Sequence, residues 1–211
     1  MVELARLNIQ GKASFATTEL FLHKMKILLH VCCACCTPFP LKILSEEGHE
    51  VSGFWYNPNI HPFTEYQNRL NAVKSFESLK SFPVFYNDSY DLEKYLKAVI
   101  NDLENRCSYC YKIRLIKTAN QTIQQGFDGF TTTLLVSPYQ KHELVKEIGE
   151  KIGKDLGIEF VYRDFRPGFY EGKNEAKRLD LYSQKYCGCI FSEKERYLKK
   201  PKVESSKKSV V

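Results

Sequence analysis

The stretch KILLHVCCACCTPFPLKIL, residues 26–44, joins a short apolar run to a cluster of cysteines and then to a helical pattern. The run from Lys26 to Val31 has the length and apolarity of a buried strand. Thr37 and Pro38 are typical of the N-cap and first position of a helix, and a helical pattern continues to Gly48. A strand, a cysteine loop and a helix in succession predict the first unit of an α/β fold.

The same alternation of strand and helix patterns continues along the chain. Further strands are predicted near 51–56, 84–86, 127–135 and 158–162, and helices over 63–80, 92–103, 106–125, 143–156 and 173–185. Strands joined by helices form right-handed crossovers and a parallel sheet with helices on its faces. We therefore predict an α/β fold with a Rossmann-like parallel sheet of about five strands, flanked by helices, and helical decoration of the C-terminal part.

Length and composition suit one sizeable domain. The chain has 211 residues, of which 43% are hydrophobic, enough to form a core without disulfides. No apolar run approaches the roughly 18 residues of a membrane span, and the start does not resemble a secretory signal. We expect a soluble, cytoplasmic protein with an N-terminal arm at 1–25, a single α/β catalytic domain at 26–193 and a basic tail at 194–211.

The positive charge is concentrated in the C-terminal tail. The chain carries a net charge of +6, and residues 194–211 account for +5 of it, with seven Lys or Arg and two Glu. The rest of the chain is therefore nearly neutral. A basic tail suits contact with RNA or DNA, and a solvated end without core-forming residues is the alternative.

The eight cysteines fall into three clusters. Four of them occupy positions 32, 33, 35 and 36, one pair has the spacing Cys107-x-x-Cys110, and another forms Cys187-Gly-Cys189. In a reducing compartment, clustered cysteines point to metal binding or thiol chemistry rather than to structural disulfides.

The first cluster lies where the first predicted strand ends. In open parallel sheets, ligands bind beyond the carboxyl ends of the strands, at the point where the strand order reverses. Nucleotide-binding sheets need glycine in this loop so that backbone amides can approach phosphate. Here no glycine occurs between Lys12 and Gly48. The sequence therefore favours thiol chemistry over an ATP or dinucleotide site at this loop.

Two CxxC units, Cys33 with Cys36 and Cys107 with Cys110, stand at the starts of predicted helices. Sulfurs in that position gain thiolate character from the helix dipole. Two such units could form one Cys₄ site, for which zinc is the usual metal. The surplus of thiols at a presumed active-site edge favours an iron–sulfur centre instead. Dithiol chemistry without metal is a further alternative.

The spacing of Cys187 and Cys189 predicts a redox pair. A disulfide across a single residue is strained, and strained disulfides tend to be labile or catalytic. Ligation of a metal by this pair and inert packing are the alternatives.

Eight short motifs occur in a fixed order along the chain. They are LLHVCCA at 28–34 with Cys36, YNPN at 56–59, Glu65-Tyr66 with Arg69, RCxxC at 106–110, TTTL at 131–134, SPY at 137–139, DFR at 164–166 and YCGC at 186–189. Together they resemble the QueH family of epoxyqueuosine reductases, from about residue 26 to 191. Cys35 departs from the pattern, since that family usually has proline there, and is therefore expected to be the least functional cysteine.

The resemblance implies the final step of tRNA queuosine biosynthesis, the two-electron reductive deoxygenation of epoxyqueuosine to queuosine without cobalamin. The substrate would be tRNA that carries epoxyqueuosine at the anticodon wobble position, and the electron donor is unidentified. It also implies a HUP-type α/β fold without an ATP loop, and no membrane. The implied cofactors are a [4Fe-4S] cluster and an additional mononuclear iron held by cysteine and an aspartate.

The resemblance also implies roles for particular residues. We expect the cluster to be bound by Cys32, Cys33, Cys107 and Cys110, with Cys36 as the reserve ligand. Asp91 and Asp164 are candidates for the carboxylate on the additional iron. The alternatives are that Asp91 caps the helix starting at Leu92 and that Asp164 pairs with a neighbouring arginine.

The remaining roles concern protons, electrons and RNA. Cys187 and Cys189 are the expected redox pair, and Tyr139 is an expected proton donor, with His30 or a cysteine as alternatives. Four arginines are candidates for phosphate contacts, with solvated or paired side chains as the alternative: Arg69, Arg106, Arg114 and Arg166. Two other functions stay open at this point, a metal-free thiol–disulfide oxidoreductase and a zinc-containing RNA-binding protein.

Overall fold

Five parallel strands form the centre of the computed structural model, which describes residues 24–198. The strands are β1 (Lys26–His30), β2 (Glu50–Trp55), β3 (Val84–Tyr86), β4 (Gly129–Thr132) and β5 (Glu159–Phe160). They pair in the order β3-β2-β1-β4-β5, and each neighbouring pair is parallel. The predicted α/β fold with a five-stranded parallel sheet is confirmed.

Helices connect and cover the strands. They are α1 (Pro38–Glu46), α2 (Phe63–Lys80), α3 (Leu92–Val99), α4 (Arg106–Gln125), α5 (His142–Leu156), α6 (Phe169–Arg178) and α7 (Ile190–Tyr197). Because parallel crossovers are right-handed, the reversal of strand order after β3 places α1 and α2 on one face and α4 and α5 on the other. In agreement, α4 packs against α5.

The central strand β1 is the most deeply buried part of the sheet. Ile27, Leu28 and Leu29 have no exposed surface, because helices cover both faces of the strand. Burial of an aliphatic side chain of this size stabilises the fold by about 1.5–3 kcal/mol. The apolar KILLH sequence thus fixes β1 in the middle of the sheet, and the cysteine cluster follows directly from its carboxyl end.

The structure corrects the predicted helix over 173–185. The helix α6 begins earlier and ends at Arg178, and no helix or strand is formed between 179 and 189. The physical cause is Asp180, whose φ of 54° is left-handed and therefore ends the helical path. The chain beyond α6 is consequently free to fold back over the cysteine cluster.

Other boundaries differ less. The helix α3 ends at Val99 rather than 103, and β5 contains two residues rather than five. The helix α7 runs to Tyr197 and so crosses the predicted start of the basic tail at 194. Most of the predicted arm, residues 1–23, and of the tail, residues 199–211, lies outside the described residues. Between residues 24 and 198, no helix has the length and apolarity needed to cross a bilayer.

Candidate functional site

The site lies at the carboxyl edge of the sheet, where the strand order reverses. Strands β1 and β4 are adjacent in the sheet, but the chain leaves them towards opposite faces. After β1 the chain enters the cysteine cluster, and after β4 it enters a 3-10 turn at Thr133–Val136. A crevice between the two departing chains is the usual ligand site of an open α/β sheet.

The first thiol group consists of Cys32, Cys33, Cys35 and Cys36. A 3-10 turn at Ala34–Cys36 folds the loop back on itself, so that sulfurs from adjacent residues face one another. The Sγ atoms of Cys32 and Cys33 are 3.5 Å apart, and those of Cys33 and Cys35 are 3.6 Å apart. The loop thus presents several sulfurs to one small volume.

The sulfurs of Cys32, Cys33 and Cys36 form a set of potential metal ligands in which all three lie within 4.8 Å of one another. Thiolate sulfur is the donor that zinc and iron–sulfur centres use. The donor type and spacing therefore fit a metal. Cys36, expected only as a reserve ligand, belongs to this set, whereas Cys107 and Cys110 do not. Joint ligation by the two CxxC units stays a prediction.

Polar side chains from distant parts of the chain hold the first thiol group. Thr133 Oγ1 accepts from the Cys32 amide at 3.0 Å and donates to Cys32 Sγ at 3.2 Å. Gln184 Nε2 donates to Cys33 Sγ at 2.9 Å, and Gln184 Oε1 accepts from Cys35 Sγ at 2.9 Å. Thr133 belongs to the TTTL motif at 131–134 but was given no role there, and no local sequence pattern marks Gln184.

Helix α6 closes over the same thiols. Ala176 packs against Cys33, Cys35 and Cys36. A Cβ on Gly172 would lie 2.8 Å from the Cys35 carbonyl oxygen, so only glycine allows this close approach of helix and loop. The thiols are consequently shielded from water on this side.

The second thiol group consists of Cys107, Cys110, Cys187 and Cys189. Cys107 and Cys110 lie in the first turns of α4, as predicted. Cys110 and Cys189 are both buried and pack in one cluster with Tyr95 and Val99. Burial raises the pKa of the Cys110 thiol to about 12, while Arg114 opposes this effect. The structure thus brings together two cysteine pairs that are distant in the sequence.

One cleft connects the two thiol groups. Its volume is about 560 Å³, and Cys32, Cys35, Cys36 and Cys187 all line it. A groove of about 690 Å³ between α1, α2 and α6 is lined by ion-paired side chains and contains no cysteine. The chemistry of the site therefore belongs to the cleft at the sheet edge.

The loop that carries Cys187 and Cys189 is tightly held, and both residues are free thiols. Its Gly188 has a φ of 144°, and a Cβ there would lie 3.3 Å from Arg69 Nη1. The Gly188 carbonyl oxygen accepts from the His61 amide at 2.8 Å. Gln140 Nε2 donates to Cys187 Sγ at 3.1 Å. The predicted redox function of the pair stays a prediction.

The two candidate aspartates lie in different settings. Asp91 caps α3, since its side chain accepts from the Lys94 amide at 3.3 Å. Its charge also contributes to the raised pKa of Tyr56, whose main cause is burial. Asp164 pairs with Arg166 through two short contacts of 2.8 and 2.6 Å, and this pairing lowers its pKa to about 2. The structure therefore shows both alternatives considered from the sequence, a helix cap for Asp91 and an ion pair with a neighbouring arginine for Asp164.

The four arginines considered for phosphate contacts all bind protein groups instead. Arg166 pairs with Asp164, Arg106 with Glu195 and Arg69 with Glu65, and Arg114 donates to Cys110. Arg69 and Arg114 are almost fully buried. The expectation of phosphate contacts by these two is wrong, because their guanidinium groups are turned into the protein.

His30 has a structural role. Its Nδ1 lies 2.9 Å from Thr132 Oγ1 and its Nε2 lies 3.2 Å from the Tyr56 carbonyl oxygen, so the ring links the ends of β1, β4 and β2. Burial lowers the pKa of His30 to about 4. A neutral, fully engaged imidazole is a poor proton donor, so His30 does not suit the alternative role considered for it.

Tyr139 stands at the mouth of the cleft. It is 80% exposed, and its ring packs edge-on against Phe169, with the centroids 5.9 Å apart. Phe169 also contacts the ring of the exposed Tyr170, and Lys173 Nζ lies 5.0 Å from the Phe169 ring centroid. We call Tyr139, Phe169, Tyr170 and Lys173 the aromatic rim.

The chain is similar to known proteins over most of its length. A family model described as "Epoxyqueuosine reductase QueH" matches residues 27–195. A protein of that name from Dehalococcoides mccartyi is 41% identical over 172 residues, which cover 82% of this chain and 94% of the relative. Another from Thermotoga maritima is 34% identical over 181 residues, which cover 81% of this chain and 91% of the relative.

Proposed function

Because this chain belongs to the epoxyqueuosine reductase QueH family, we propose that it reduces epoxyqueuosine in tRNA to queuosine, the final step of queuosine biosynthesis. The supporting observation is the cleft at the sheet edge, which thiols line where nucleotide-binding sheets have a glycine-rich loop. Cys32 and Cys187, from opposite ends of the sequence, border the same space.

The reaction removes one oxygen atom from the epoxide. Two electrons and two protons are consumed, both C–O bonds break, a carbon–carbon double bond forms, and the oxygen leaves as water. The protein must therefore receive electrons from an external donor and supply protons within the cleft. It must also hold the modified base at the wobble position of the anticodon near the thiols.

The cofactors that we propose are a [4Fe-4S] cluster and an additional mononuclear iron. The cluster ligands would be Cys32, Cys33, Cys107 and Cys110, and the compact set that includes Cys36 makes Cys36 a further candidate. When bound, these groups would supply electrons and a Lewis acid for the epoxide oxygen. Of the two aspartates, Asp91 suits the additional iron better, since Arg166 occupies both oxygens of Asp164.

The chain's own residues would bind, orient and protonate the substrate. Tyr139 would donate a proton, a role supported by its position in the lining of the cleft. Cys187 and Cys189 would act as a dithiol that delivers electrons and becomes a disulfide. Gln140 would orient the Cys187 sulfur through its hydrogen bond of 3.1 Å.

The aromatic rim would receive the RNA. Unstacked bases bind to exposed aromatic rings, and basic side chains contact phosphates. Tyr139 and Tyr170 are exposed, and Lys173, Lys185 and Arg196 line the cleft. The acidic Glu195 in the same lining pairs with Arg106, which leaves the cleft with excess positive charge.

The test is anaerobic purification followed by iron, sulfide and zinc analysis, an absorption spectrum and an assay on tRNA that carries epoxyqueuosine. We expect a coloured iron protein that produces queuosine-tRNA, and a Cys107→Ala variant that loses both colour and turnover. A colourless protein with fully titratable thiols would favour a thiol–disulfide oxidoreductase. Bound zinc without electron uptake would favour an RNA-binding zinc protein.

A further inference from the structure

Arg114 is a buried cation that lies against sulfur. It is 2% exposed and is placed one helical turn after Cys110 in α4. Its Nη2 donates to Cys110 Sγ at 3.0 Å, and its Nε donates to the Cys110 carbonyl oxygen at 3.0 Å. The side chain therefore runs back along the helix to the turn that carries the second CxxC unit.

No carboxylate of the described residues balances this charge. Within residues 24–198, no carboxylate oxygen lies within 4.0 Å of the Arg114 guanidinium. Arg69 is equally buried, but Glu65 accepts from its Nε at 2.7 Å. A guanidinium group does not lose its proton in a protein, and an isolated buried charge is strongly unfavourable. Arg114 therefore needs an anion that the carboxylates do not provide.

Sulfur is the available source of that anion. Cys110 Sγ accepts directly from Arg114, and the charged forms of Cys187 and Cys32 also attract its guanidinium group. These residues come from three separate segments, α4, the loop before α7 and the loop after β1. Arg114 thus contacts the second thiol group directly through Cys110 and acts electrostatically on Cys32 of the first thiol group.

We propose that Arg114 is the positioning residue that balances the negative charge of a metal centre bound by these thiols. A divalent metal ion bound by more than two thiolates is a net anion, as is an iron–sulfur cluster on cysteine ligands. Bound metal and Arg114 would then neutralise each other in the protein interior. This inference rests on the proposed function to the extent that the site holds a thiolate-bound metal.

The inference makes opposite predictions for the two forms of the protein. Without metal, the buried charge of Arg114 destabilises the folded protein. An Arg114→Met variant should therefore unfold at the same temperature as the parent or at a higher one. With metal, the same variant lacks the balancing charge and should bind the ion more weakly. A residue that only packs the core would destabilise both forms equally and leave metal affinity unchanged.

The test uses Co²⁺ as the probe in anaerobic, metal-free full-length protein. The Co²⁺–thiolate absorption reports binding at the thiols, independently of turnover. We expect Arg114→Met to weaken Co²⁺ binding by about 10- to 100-fold, the usual effect of removing an outer partner of a metal site. Arg114→Lys should recover most of the affinity, since it keeps the charge. Lys112→Met, which removes an exposed cation from the same helix, should bind like the parent.

The Co²⁺ affinities of the parent and the variants distinguish failure of this inference from failure of the proposed function. Equal Co²⁺ affinity of the parent and Arg114→Met overturns the inference and leaves the proposed function intact. No thiolate absorption in the parent overturns both. If Arg114→Met does not fold, an Arg114→Gln variant replaces it, and equal affinity of Arg114→Gln and the parent also overturns the inference.

Discussion

Arg69 Nη1 donates to the carbonyl oxygen of Cys187 at 2.9 Å, so helix α2 holds the loop that carries Cys187 and Cys189. Nη2 of the same guanidinium donates to the Tyr186 carbonyl oxygen at 2.9 Å. Glu65 neutralises the charge from one turn earlier in α2. The position of the Cys-Gly-Cys loop therefore depends on a buried ion pair more than one hundred residues away in the sequence.

Replacement of Arg69 by Met should strongly destabilise the protein. It leaves Glu65 as a buried, unneutralised charge and removes the donors from two carbonyl oxygens. We expect a loss of about 3–5 kcal/mol in the free energy of unfolding, measured by urea titration of metal-free protein. Arg178→Met, which breaks an exposed pair with Glu175, should cost less than about 1 kcal/mol. Equal effects of the two variants would contradict this role for Arg69.

Replacement of Gln184 by Leu should weaken metal retention. Leucine keeps the bulk over the first thiol group but removes the hydrogen bonds to Cys33 and Cys35. We expect a chelator to extract metal about 10- to 100-fold more readily, as for other partners of metal ligands. The exposed Gln124→Leu is the matched control. Unchanged extraction from Gln184→Leu would show that the amide does not position the sulfurs.

His61 should make stability depend on pH. It is buried against the rings of Tyr90 and Tyr95, and this burial lowers its pKa to about 4. Between pH 6.5 and 4 the unfolded chain binds a proton at this residue that the folded chain does not, so stability falls as pH falls. The contribution is up to about 3 kcal/mol.

The variant that tests this dependence is His61→Phe, which keeps a flat ring between the tyrosines. The free energy of unfolding of metal-free parent and variant is measured by urea titration at several pH values from 7.5 to 4.5. As pH falls, the parent should lose more stability than the variant. Comparison at each pH removes the contributions of other titrating groups. A difference that does not change with pH would rule out His61 as the source.

The aromatic rim should contribute to RNA affinity. Tyr170→Ala and Lys173→Ala should each weaken binding of an anticodon stem-loop RNA, the first by about 1–3 kcal/mol if a base stacks on the ring. Lys173→Ala should also reduce the dependence of affinity on salt, since one phosphate contact is lost. Fluorescence anisotropy across a salt series measures both effects. Tyr197→Ala, an exposed tyrosine outside the rim, should bind like the parent.

The elements that were predicted well have local causes. Strand β1 and helix α2 were predicted with nearly correct ends, because apolar run length and helical spacing are properties of the segment itself. The position of α6 was not predicted correctly, because its end depends on the left-handed backbone at Asp180. The location of the cysteine loop at the carboxyl edge of the sheet followed from a general rule about where ligands bind in parallel sheets, and joint ligation by the two CxxC units stays a prediction.

The supporting residues of the site could not be predicted in the same way. Gln184 contacts Cys33 across 151 positions of the sequence, and nothing near Gln184 indicates that partner. Arg114 was considered for phosphate contacts because arginine commonly binds phosphate. In the structure Arg114 contacts Cys110, four residues earlier on the same helix. Only its burial distinguishes Arg114 from a solvated arginine on a helix surface, and burial cannot be read from the local sequence.

The segment between α6 and α7 contains no helix or strand, yet it supplies Gln184, Cys187 and Cys189. The last strand ends at Phe160, so a cut in this segment would leave every strand in place. Proteolytic cleavage there would leave the sheet intact but break the segment that holds Gln184 against Cys33 and Cys187 against Gln140. A mass measurement of residues 179–189 would therefore detect damage to the site that secondary-structure content does not register.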